Sequence, residues 1–255
     1  MARSRPLRPG RPALALAALV LWGAITILGA KLIYPPDMKL SDLATSGIGW
    51  HVLAAAGMLG ALIRWQGWDD LGFRAPVPGT LWLLWLPGLM LAVLFGGALE
   101  LGLPGPGVAA LVLANSMLVG LSEETMFRGV LFSALRERLR IWPAILWTTG
   151  AFGAVHLFNG VLTGEVAVSA LQAVAASCTG LMLLAIRLRT GSIWTAIAIH
   201  GLWDCATFLV VLSAGPMPAD GGAGMPLMPL LLVPLLLVLP GLLYGLWLLR
   251  GIGQR

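Results

Sequence analysis

The chain is short of charge. Only 11% of its 255 residues are Asp, Glu, Lys or Arg, against about 25% in soluble domains, and its mean hydropathy is +0.90. So few charges cannot cover a water-facing surface, which excludes a soluble globular domain as the main body. Cysteine is scarce too: Cys178 and Cys205 stand singly in apolar stretches, so neither a disulfide framework nor a thiolate metal site is indicated. There is no HExxH, the pattern that places two zinc-binding histidines one helical turn apart. The alternating pattern of a membrane β-barrel is missing as well, and no internal repeat or soluble domain is visible.

What is present is a series of apolar runs of about 20 residues, each able to cross a hydrocarbon core of ~30 Å as a helix. The expected fold is all-α, a polytopic integral membrane protein of about eight transmembrane helices forming one domain over residues 1–255. The spans read as 12–34, 46–65, 80–101, 107–135, 143–162, 166–186, 191–213 and 227–249. Thirteen arginines (positions 3, 5, 8, 11, 64, 74, 136, 138, 140, 187, 189, 250 and 255) fall at the termini or in alternate connections, and only Lys31 and Lys39 lie opposite. The positive-inside rule makes the arginine side cytoplasmic, so a multi-pass protein of the inner membrane with both termini inside is expected. Removing 12–34 as a signal peptide would put the new terminus on the wrong side of that pattern, so the first span is read as uncleaved. The net charge of +5 comes from these short flanks; they face anionic lipid, and no nucleic-acid partner is expected. The last span carries Pro226, Pro229, Pro234 and Pro240 and is expected to kink.

Ionisable groups inside a span cost several kcal/mol and generally have a partner or a role. Three spans of the core 107–213 hold them. The fourth reads GLSEETMFRG, with Glu123, Glu124 and Arg128; the fifth AFGAVHLF, with Phe152 and His156; the seventh AIHGLWDC, with His200 and Asp204. Each contains an i, i+4 pair that shares one helix face. Counted from their cytoplasmic ends, Glu123, His156 and His200 all lie about 16–20 Å deep. Agreement in depth points to one cavity, expected to open to the cytoplasm. Adjacent residues on a helix diverge by about 100°, so Arg128 pairs with Glu124, and Glu123 is left free as a general base towards water. His156 is its expected partner, and His200 is placed to stabilise an oxyanion.

The order EExxxR, FxxxH, HxxxN on separate spans is similar to the CAAX prenyl protease and bacteriocin-processing family, also called the Abi family. The resemblance covers residues 121–205 closely, with a weaker echo in LGFR at 71–74. It implies an intramembrane endopeptidase of the type II CAAX kind, acting on a peptide or membrane-associated protein. In it the first glutamate and first histidine, here Glu123 and His156, activate a water, and the third motif, here His200 and Asp204, forms the oxyanion hole. Glu124 and Arg128 support the site. Asp204 departs from the family's asparagine: an amide donates to an oxyanion, whereas an ionised carboxylate only accepts, so Asp204 either carries a proton or orients His200.

Two other readings use the same residues. Glu123, His156 and His200 could ligate zinc in a metallopeptidase, or the cluster could serve as a proton relay or pocket in a transporter or immunity protein. The first choice is metal-free glutamate catalysis with no cofactor.

Overall fold

A computed structural model describes residues 10–35, 38–215 and 227–253. Among them the regular secondary structure is all helical, with no strand. The elements are α1 (Arg11–Ile33), α2 (Leu40–Thr45), α3 (Trp50–Gln66), α4 (Trp85–Leu101), α5 (Pro106–Glu124), α6 (Phe132–Arg136), α7 (Ile141–Val155), α8 (Asn159–Thr163), α9 (Val166–Thr190), α10 (Ile193–Ser213) and α11 (Leu227–Leu248). The protein is a polytopic all-α membrane protein. Six helical runs among the described residues are long and apolar enough to cross a membrane, the longest being Pro106–Arg136. The helix at Trp50–Gln66 has 17 residues, and α11 has a shorter apolar run, Leu235–Leu248. The expected span 46–65 therefore starts later, because α2 is a separate short helix in the α1–α3 connection. Most of the Pro/Gly-rich stretch 214–226, with Pro226, lies outside the described residues.

The arginines share one end of the bundle by direct contact. Arg11 makes a two-pronged ion pair with Asp70 at 2.6 and 2.9 Å, reaches Glu137 at 3.4 Å and lies over the Trp68 ring. Arg74 donates to Gly191 O, while Arg189 donates to Leu248 O and Arg250 O. These contacts join the start of α1, the 67–80 loop, the turns after α6 and α9, and the end of α11.

The LGFR stretch has a structural job at that end. Leu71 is buried, and Gly72 takes φ +93° so that its carbonyl accepts from Ile193 N at 2.8 Å. Ser192 caps α10 through Trp194 N and donates to Arg74 O, and Val77 N donates to Thr190 O. The loop thus clamps the two-residue α9–α10 turn and fixes the start of the helix that carries His200.

The helices of the site meet where side chains are missing. A Cβ on Gly120 would lie 2.9 Å from both Gly201 N and Ile197 O, and one on Gly201 would lie 2.6 Å from Met117 Sδ. Only this glycine pair lets the α5 and α10 backbones approach so closely, the usual solution where lipid supplies no hydrophobic drive between helices.

Candidate active site

Between α5 and α6 the helix widens into a π segment, Thr125–Leu131, that begins immediately after Glu124 and is buried along its whole length. Such insertions recur at functional sites because the extra residue re-aims the side chains around it. Within it Arg128, 0% exposed, stands 2.9 Å from Glu124 Oε1 as an ion pair. Its Nη2 donates to Gly180 O at 3.0 Å, and its guanidinium lies 3.9 Å above the Phe152 ring. Gly180 permits this: a Cβ there would meet Phe152 at 2.8 Å and Arg128 Nη2 at 2.9 Å.

Glu124 also holds His200. Its Oε1 receives Nδ1 of that ring at 2.7 Å, a length typical of a charge-assisted bond. The imidazole is therefore oriented from behind by a carboxylate that Arg128 neutralises. His200 Nε2 faces forward, 3.8 Å from Glu123 Oε2 and 3.5 Å from Asp204 Oδ2.

His156 approaches from α7. The helix tightens to a 3-10 turn at His156–Phe158, where His156 N–H turns to Gly153 O and the Phe152 carbonyl accepts Nδ1 of the ring at 2.8 Å. A carbonyl can only accept, so Nδ1 carries a proton, and in the neutral ring Nε2 is then the acceptor. Edge-to-face contacts of Phe152 with Phe127, His156 and His200, at 5.1, 4.9 and 5.7 Å between ring centroids, set the spacing of the two histidines.

Glu123, His156 and Asp204 line one cavity of about 230 Å³; Glu124 and His200 do not, His200 standing behind Glu123 and Asp204. The Glu123 side chain is 18% exposed and its Oε2 has no hydrogen-bond partner. The sequence pairs Glu123 with His156, yet the imidazole nearest to it is His200. Glu123 and His156 share the cavity without a direct bond among the described residues. Among those residues no three His, Cys, Asp or Glu side chains converge as metal ligands.

The cavity runs from Glu123 away from the arginines. It is lined by Thr26, Leu43, Gly49, Asn115, Leu162 and Phe208, among others. These occupy the halves of α1, α5, α8 and α10, and the connection between α1 and α3, that lie away from the arginines. Towards the arginine end, every residue from Glu124 to Ala134 and from Gly180 to Arg187 is buried. The three motifs agree in depth, but a common depth does not say from which face it is reached.

Three positions escaped sequence reasoning. Trp22 Nε1 donates to Ser122 Oγ at 2.9 Å, fixing α1 beside the glutamate pair. Asn115 is buried, accepts from Gly49 N and donates to Ala44 O and Gly47 O at 2.8–3.0 Å. An amide inside an apolar span was the available signal. Asn159 Nδ2 donates to Gln172 Oε1 at 2.8 Å, and both line the cavity.

Residues 105–206 match the family model described as Type II CAAX prenyl endopeptidase Rce1-like. This segment is a CAAX protease family domain. The CAAX protease domain runs from the start of α5 into α10 and contains all three motifs, whereas Trp22 and the LGFR clamp lie outside it. Neither a curated protein nor a solved structure matches the chain. The chain is thus a multi-pass membrane protein whose residues 105–206 form a protease-family domain.

Proposed function

We propose that the protein is an intramembrane endopeptidase in which Glu123 activates a water without a metal, acting on a peptide or a membrane-associated protein. The observation that carries this reading is the division of labour between adjacent carboxylates. Glu124 Oε1 is held by both Arg128 and His200, whereas Glu123 lines the cavity with no side-chain hydrogen bond among the described residues.

The chemistry follows from donors and acceptors. A water between Glu123 and His156 Nε2 finds two acceptors, donates both protons and turns a lone pair into the cavity. As its oxygen bonds to the scissile carbonyl carbon, Glu123 takes one proton and the carbonyl π pair becomes an oxyanion. His200 Nε2–H, supported behind by Glu124, donates to that oxyanion. Collapse breaks the C–N bond, and the proton held by Glu123 passes to the leaving amine. Because Glu124 already orients the ring, Asp204 is not needed for that task; it flanks Nε2 at the oxyanion side.

The test compares peptide termini in membranes from cells making wild type or Glu123→Gln in equal folded amounts. Cleavage products present only with wild type are expected. Identical termini in both would refute the reading. Any cleavage so found is expected to survive chelators, and chelator inhibition reversed by zinc would favour a metallopeptidase.

A further inference from the structure

We infer that Asn159 and Gln172 form a main-chain clamp, a pair of side-chain amides that holds one peptide unit of an extended substrate segment beside His156. The inference rests on the peptidase reading and adds which groups hold the peptide, and where. Asn159 Nδ2 donates to Gln172 Oε1 at 2.8 Å, and both half-buried side chains line the cavity that Glu123, His156 and Asp204 share. Two glycines bring their helices together. A Cβ on Gly153 would lie 2.6 Å from Ala173 O, and one on Gly160 would lie 3.3 Å from Ser169 Oγ. Gly160 adjoins Asn159 and Ala173 adjoins Gln172, so the close approach of α7 and α8 to α9 sets the two amides side by side.

The bond between them uses one half of each amide. Asn159 Oδ1 and Gln172 Nε2 make no hydrogen bond among the described residues. A free acceptor beside a free donor is the complement of one peptide unit, whose N–H donates and whose C=O accepts. Turning both amides over exchanges the atoms but leaves the same pair, one donor and one acceptor. The shared bond polarises both outward groups, and neither amide titrates, so the clamp puts no charge beside Glu123. Lipid chains satisfy neither atom, and an amide left unpaired in an apolar setting is costly. Position follows from the backbone. In the 3-10 turn at His156–Phe158 residues three apart eclipse, so Asn159 shares the face of His156, about 6 Å further along the axis. An extended chain advances ~3.4 Å per residue, so the unit held by the clamp lies about two residues from the scissile bond. Recognition there reads the main chain and is indifferent to the side chain it carries.

The probe is a short fluorescence-quenched peptide copied from a site whose cleavage requires Glu123, assayed with the full chain in detergent micelles. Asn159→Leu and Gln172→Met keep bulk and remove the outward acceptor or donor. Each is expected to raise KM about fivefold to tenfold with kcat within about twofold, the signature of binding lost equally in ground and transition states. The double variant Asn159→Gln/Gln172→Asn exchanges the amides and keeps one donor and one acceptor, so its KM is expected within about threefold of wild type. An N-methyl group on the peptide amide two residues from the scissile bond, on one side or the other, is expected to raise wild-type KM by a similar factor and to add little in Asn159→Leu. A fall in kcat or in folded protein with KM unchanged would show that the pair only ties α8 to α9, and would overturn the inference. N-methylation without effect on wild-type KM at both positions overturns it with no variant needed, as do penalties equal in wild type and Asn159→Leu. Cleavage that depends on Glu123 but not on the pair defeats the inference and leaves the peptidase reading intact. Termini identical in wild type and Glu123→Gln defeat both.

Discussion

Replacing Arg128 by Met removes the cation that neutralises Glu124 at a place where both side chains are essentially unexposed. Breaking a buried pair from one side costs about 3–5 kcal/mol, because a charge remains without compensation. The two single variants are not equivalent. Without Arg128, Glu124 keeps the His200 Nδ1 bond at 2.7 Å; without the Glu124 charge, Arg128 keeps only Gly180 O and the Phe152 ring. Glu124→Gln is therefore expected to destabilise at least as much as Arg128→Met. In the double variant no charge is stranded, and its loss is expected to fall short of the sum of the singles by about 1–3 kcal/mol. The assay is reversible unfolding in mixed micelles, followed by tryptophan fluorescence for the wild type, two singles and the double. Additivity within about 0.5 kcal/mol would show that the two groups do not act as a unit, and the structural role given to Glu124 would fall.

Gly120→Ala sets a Cβ 2.9 Å from two backbone atoms of α10; restoring ordinary contact near 3.5 Å moves the helices apart by about 0.5 Å. Peptide cleavage is expected to fall roughly tenfold or more while the protein still folds, and unchanged rates would mean that the crossing does not set the site geometry. Asp204→Asn is expected to keep activity within about tenfold of wild type, since His200 is oriented by Glu124 and an amide can donate to the oxyanion; a loss above about 100-fold in kcat/KM would restore a necessary role to the carboxylate. Arg11 holds the Asp70 carboxyl below its usual range, first through their hydrogen bond and then through charge. That contact therefore stabilises the fold above about pH 4 and stops doing so as pH falls through the lowered value. Asp70 is half exposed, so Asp70→Asn is expected to cost under ~1 kcal/mol near neutrality, and a cost that persisted at pH 2 would contradict this origin.

Much of the site could be read because polar residues are rare in a chain of this composition. Glu124 and Arg128 lie one turn apart, and their contact follows from helical geometry alone. The helical runs follow from apolar length, and their ends from arginines and from Gly67 and Gly191, which close α3 and α9 in the left-handed conformation. What could not be read depends on contacts between helices. The bond from His200 to Glu124 joins residues 76 apart and requires the Gly120–Gly201 crossing; nothing local in either motif announces it. The π segment has no sequence signature, since its widened turn is sustained by packing around Phe127 and Arg128. The course of the cavity could not be read either, because distance from the arginine end measures depth, while the free space depends on which half of each helix is packed.

Under the proposed peptidase mechanism, the adjacency of Glu123 and Glu124 has a physical reason. A carboxylate that acts as a base inside a membrane must be desolvated enough to want a proton, yet free of any cation that would hold it ionised and inert. A nearby imidazole that stabilises an oxyanion needs the reverse, a carboxylate fixed behind it. One residue cannot meet both demands. Two successive residues on one helix can, because the ~100° between them sends Glu124 into the packed layer with Arg128 and Glu123 into the cavity. Spacing them by four would put both on one face and in reach of the same arginine. On this argument, exchanging the free carboxylate for an amide removes the chemistry and spares the fold, whereas exchanging the fixed one damages both.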